Sequence, residues 1–116
     1  MRILNREDLM NILYGAAILG TGGGGSLDEG IAMIDEALQA GKEFKLADFA
    51  EMDPDAVIGT PYACGAISPL TEEEVKKYAR LKETDESFYI LCMKQLEQFL
   101  GKEVSAVIST ELGGGN

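Results

Sequence analysis

Two runs of glycine constrain this chain more than any other feature of its sequence. Gly22, Gly23, Gly24 and Gly25 stand in a row between two stretches of helical periodicity, and Gly113, Gly114 and Gly115 follow the last apolar run. Residues without a β-carbon let the backbone turn sharply and approach another group closely. The two corners are therefore where a functional surface is expected.

Around them the elements are legible. Asn5 is placed to cap a first helix, with Glu7 and Asp8 in its first turn, where the positive end of the helix dipole favours them. Leu9, Ile12, Leu13, Ala16 and Leu19 continue at helical spacing up to Gly20. Ser26 and Glu29 form the S-x-x-E signature that opens a second helix, with Leu27, Ile31, Ile34 and Leu38 as its apolar face, Met33 and Ala37 beside them, and Gly41 at its end. Phe44 and Leu46 alternate with charged residues as a half-buried strand would. The turn Asp53-Pro54-Asp55 leads into an apolar strand at 56–59. Residues 61–70 read as a loop, and Thr71 with Glu74 predicts a short, exposed helix.

A longer helix is predicted from a cap at Thr84 or Asp85, with Phe88, Leu91, Cys92, Gln95 and Phe99 on its buried side, supported by Ile90, Met93, Leu96 and Leu100, and closed by Gly101. The β-branched run at 104–109 predicts a buried strand leading into the second glycine corner. Strands separated by helices define an α/β class, a small sheet covered by helices in two or three layers, with residues 1–116 as a single domain. A sequence that breaks off at such a corner reads as the front part of a longer, two-domain protein.

Several chemistries are disfavoured. The 10 basic and 20 acidic side chains leave a net charge of -10, and the densest basic stretch, Lys76, Lys77, Arg80 and Lys82, is flanked by glutamates, so no nucleic-acid partner is expected. The chain has no histidine, and its two cysteines, Cys64 and Cys92, lack metal-type spacing, so neither a metal site nor a cofactor is expected within it. Met1 to Leu13 carries too many charged and polar residues for a secretory signal, and the apolar stretch at 12–21 is too short to span a bilayer. A soluble, cytoplasmic protein with no membrane contact is expected.

The candidate site residues follow from the corners. Consecutive glycines, from Thr21 through Gly22, Gly23, Gly24 and Gly25 to Ser26, can turn their N–H groups toward one point beside a helix N-terminus, a concavity suited to an anion or a polarised carbonyl. The run is neither a Walker loop nor a dinucleotide fingerprint. A flexible linker or a tight helix corner is the alternative. Glu111 should project at the C-terminal end of a strand, where ligands bind in open α/β sheets, which makes it a candidate base; the plainer alternative is a solvated glutamate. Cys64 is expected as a packed thiol and Cys92 as core.

Together, the string from Gly15 to Ser26, the middle loop at Cys64-Gly65-Ala66, and the segment from Gln98-Phe99-Leu100-Gly101 through 104–109 to Glu111-Leu112-Gly113-Gly114-Gly115-Asn116 resemble the N-terminal part of the DUF917 family, which includes S-methyl thiohydantoin desulfurases. The resemblance implies hydrolytic attack on small cyclic amides or thioamides of the hydantoin class. Thr21 to Ser26, Gly113 and Gly114 would bind the substrate, and Glu111 and Asn116 would orient water or substrate. It also implies a homo-oligomer or a hydantoinase-type partner subunit. Full members are several times longer, so further catalytic groups or a metal would lie in other parts of such a protein. The alternative function is a non-catalytic small-ligand or subunit-interaction module.

Overall fold

Asn5 begins the first helix, α1 (Arg6–Gly20), as its side chain dictates: Asn5 Oδ1 accepts from the Asp8 amide at 2.9 Å, while Asp8 Oδ2 accepts from the Asn5 amide at 3.1 Å. This reciprocal pair satisfies two amide donors at the helix start. The computed structural model describes residues 1–63, 68–81 and 86–115. Thr21 ends α1 in the left-handed region at φ 52°. The second helix, α2 (Leu27–Gln39), starts at Ser26, whose hydroxyl accepts from the Glu29 amide at 3.3 Å.

The two helices run back along one another. Arg6, at the start of α1, reaches Asp35 in the third turn of α2, with Nε and Nη2 donating to the two carboxylate oxygens at 2.7 and 2.9 Å. Such a fork-on-carboxylate pair fixes relative orientation as well as adding charge-assisted hydrogen bonds. The Arg6 bond holds the Asp35 carboxyl below its ordinary value of 3.8.

Before α1, an unanticipated short strand β1 (Arg2–Leu4) pairs antiparallel with β2 (Phe44–Leu46), Ile3 facing Lys45. A 3-10 turn, Phe49–Glu51, capped by Asp48, follows. After the Asp53–Asp55 turn, where the Asp55 amide donates to Asp53 Oδ1 at 2.8 Å, comes β3 (Ile58–Gly59). The short helix α3 (Glu72–Tyr78) carries its expected box: the Thr71 amide donates to Glu74 Oε2 at 2.9 Å, which lowers that carboxyl's pKa. The long helix α4 (Phe88–Leu100) ends in the left-handed Gly101, and β4 (Ala106–Val107) closes the order by pairing parallel with β3.

The mixed α/β class holds, with the described strands arranged as two separate pairs. The core is small. Leu4, Leu9, Met10 and Leu13 are its buried apolar residues, with Gly30 of α2 buried against Leu13. The surface of 9472 Å² exceeds the roughly 6,200 Å² typical of a folded monomer of this mass. The radius of gyration of 16.4 Å likewise exceeds the ~13 Å of a compact chain of this length. Apolar faces are therefore left open.

Three expectations about burial are corrected by this openness. On α1, Met10 is buried, while Ile12 and Leu19 are exposed. On α4 the half-buried residues are Tyr89, Leu91, Met93, Leu96 and Glu97; of the expected buried face Leu91 is among them, with Met93 and Leu96 of its expected support, whereas Phe88, Cys92, Gln95 and Phe99 are exposed. Phe88 and Phe99 are exposed, and Cys92, expected as core, is an exposed free thiol. The helix is turned by Met93, whose Cε sits so near Gly59 that a β-carbon there would lie 2.3 Å away, and by Glu97, which accepts from the Val104 amide at 2.8 Å. The run at 104–109 is likewise not a buried strand, because Val107 and Ile108 are exposed on a sheet of two strands. The cap residues expected for α4, Thr84 and Asp85, lie outside the described residues; Ser87 holds the cap position without a side-chain bond.

Two glycines inside helices have opposite surroundings. A β-carbon on Gly15 would meet nothing within 4 Å, whereas one on Gly30 would lie 1.9 Å from the Gly114 carbonyl oxygen. Gly15→Ala should therefore stabilise by about 1 kcal/mol through helix propensity. Gly30→Ala should destabilise, since overpacking costs roughly 1–3 kcal/mol and the same helix gain is outweighed. Urea unfolding of both variants measures the signs; equal signs would contradict the described packing. Because the Asp35 carboxyl is depressed, its contribution is complete above the unfolded value of 3.8 and is lost as pH falls through the lower folded value. Thermal melts across pH should show Asp35→Asn less stable than the wild type at neutral pH, with the gap closing in acid.

Candidate functional site

The strands of the parallel pair end at the same place. The Ser105 amide donates to the Val57 carbonyl at 2.8 Å and the Ile108 amide to the Gly59 carbonyl at 3.0 Å, so β3 and β4 run side by side in one direction. Beyond β3 the chain passes Pro61 to Tyr62 and Ala63. Beyond β4 it passes Ser109 and Thr110 to Glu111. Both segments therefore leave the C-terminal edge of the pair, the side from which ligands are bound in open α/β sheets.

There the second glycine corner meets the first, backbone against backbone. The Gly115 amide donates to the Gly24 carbonyl at 2.8 Å. A β-carbon on Gly113 would lie 2.3 Å from the Gly24 Cα, one on Gly24 2.3 Å from the Leu112 carbonyl oxygen, and one on Gly114 2.5 Å from the Leu27 Cα. No residue larger than glycine fits this contact unchanged. Gly24 and Gly25 also hold φ of 75° and 91°, values that side-chain-bearing residues rarely adopt.

Two cavities flank the contact and share Gly24 and Glu111. The larger, about 600 Å³, lies between the end of α1 and the segment after β4 and is lined by Leu19, Gly20, Gly23, Ser109 and Thr110 besides the shared pair. The smaller, about 200 Å³, is bordered by Gly25, Gly115, Tyr62 and Tyr89. Ser109 is fixed by its hydroxyl, which donates to the Glu111 carbonyl at 2.6 Å. The Glu111 carboxylate is exposed and makes no hydrogen bond among the described residues, so it is open to a ligand or to water.

The residues expected from the sequence divide accordingly. Gly23, Gly24, Gly25 and Glu111 line the cavities. Gly113 and Gly114 are buried beneath, packed on Gly24 and Leu27. Thr21 caps α1, Gly22 is exposed at φ 97° with open space around its α-carbon, and Ser26 caps α2. Asn116 and Cys64 lie outside the described residues. Sequence reasoning did not anticipate Ser109, Thr110, Tyr62 or Tyr89. For Tyr89 a signal existed, since Tyr89, Met93 and Leu96 also recur at helical spacing along α4. Tyr62 carried none.

This is a mixed α/β chain in which two glycine corners, about ninety residues apart in sequence, meet at the ends of a parallel strand pair. The chain belongs to the S-Me-THD-like family: residues 7–116 match its N-terminal domain. No curated protein and no solved structure matches the chain. Among the described residues no helix is long and apolar enough to cross a membrane.

The corner contact makes a contrast between neighbouring glycines. Gly22→Ala should cost about 1–2 kcal/mol of backbone strain and no more, since its surroundings are open. Gly24→Ala adds the collision with Leu112 and should part the corners. Hydrogen exchange at the Gly115 amide reports this: faster in Gly24→Ala, unchanged in Gly22→Ala. Unaltered protection in both variants would show that the corners are not held as described.

Proposed function

We propose that this domain forms the substrate-binding corner of a hydrolase for small cyclic amides or thioamides of the hydantoin or S-methyl thiohydantoin class. The observation that carries the reading is the meeting of Glu111 with the glycine corner around two shared cavities, in a chain of the S-Me-THD-like family. The larger space is an open surface groove of about 600 Å³. Its lining residues include the hydroxyl-bearing Ser109 and Thr110 and the carboxylate-bearing Glu111, while the Gly23 amide is already donated to the Gly20 carbonyl at 3.0 Å.

In this reading water attacks the ring carbon that bears the S-methyl group. The Glu111 carboxylate accepts a proton from that water as the new C–O bond forms, the C–S bond breaks and the sulfur leaves as methanethiol with that proton, and the water's second proton passes to the adjoining ring nitrogen. The ring keeps a carbonyl in place of the thioether. The Gly25 amide and the Thr110 hydroxyl would face the ring heteroatoms, where negative charge develops, and donors aimed at developing charge are the most effective kind of stabilisation; the Ser109 hydroxyl, its proton given to the Glu111 carbonyl, can only accept. Asn116, adjoining Gly115 in sequence, is a second candidate for orienting water.

A second reading, a ligand-binding or subunit-interaction module without turnover, draws on the open apolar faces. The outward side of α4 presents Phe88 and Phe99 to solvent, 54% and 86% exposed. A homo-oligomeric contact or a hydantoinase-type partner subunit would cover such surface. The cytoplasm is the compartment proposed, given two cysteines without disulfide-type density in the sequence.

Glu111→Gln separates the readings. The side chain is exposed and unbonded, so the thermal midpoint should stay close to that of the wild type, as for most surface substitutions. Release of free thiol from S-methyl thiohydantoin should fall on the order of 100-fold, the lower range for losing a positioned acid–base group. Thiol release no faster than in buffer by the unaltered protein would end the hydrolase reading for this chain and leave the module.

A further inference from the structure

We draw no further inference here: the strongest candidate, the apolar groove of about 520 Å³ between the β1–β2 and β3–β4 pairs, lined by Leu46, Phe49, Ile58 and Ile108 among others, is an unpartnered face, and nothing in the structure shows what covers it.

Discussion

The contact of one peptide backbone with another at Gly24, Gly113 and Gly115 is the constraint on which the rest of this structure depends. Elsewhere the chain is loosely covered, with a core of a few side chains around α1. At the corner, by contrast, main chain meets main chain with no side chain between them, and the Gly115 amide closes on the Gly24 carbonyl. Polar backbone groups that approach this closely must be paired, and here at least one pair is. The same contact sets the shape of the site. Because the corners touch, they divide the available space into two cavities with Gly24 and Glu111 on the ridge between them.

The parallel pair β3–β4 does a different job. With only two residues in each strand it contributes little stability, yet it gives both following segments the same direction. Tyr62 and Glu111, far apart in sequence, therefore emerge at one edge. The anchoring of α4 on this pair, through Met93 over Gly59 and Glu97 to the Val104 amide, brings Tyr89 to the same edge. Three elements thus converge on a space that none of them encloses alone.

How much of this the sequence disclosed depended on the range of the interaction. Caps are local: Asn5, Ser26, Thr71 and Gly101 each announced an element end that the structure keeps, because a side chain or a left-handed turn within three residues decides it. The mixed α/β class followed from the order of those elements. Which face of a helix turns inward is not local. On α4 two apolar faces compete, and the choice was made by a methionine finding room over a glycine and a glutamate finding a free amide on β4's approach. The short strand β1 could not be read because its three residues become a strand only beside Phe44–Leu46. In the site, the glycines and Glu111 were visible as a pattern, but their direct contact was not, and neither was the arrival of the two tyrosines, which are brought by strand direction and helix rotation.

The separation of the two corners along the chain has a bearing on the order in which the molecule assembles. The α1–α2 hairpin needs only its own caps and the Arg6–Asp35 pair, all within the first third of the sequence. Joining Gly24 to Gly113 closes a loop of nearly ninety residues, for which the length-dependent part of the ordering entropy is about 4 kcal/mol. Contacts of such range form late in two-state folding, after local ones have offset part of that loss. The two cavities therefore belong to the last structure to form and the first to open, and a molecule that filled them would act as a latch on the whole chain.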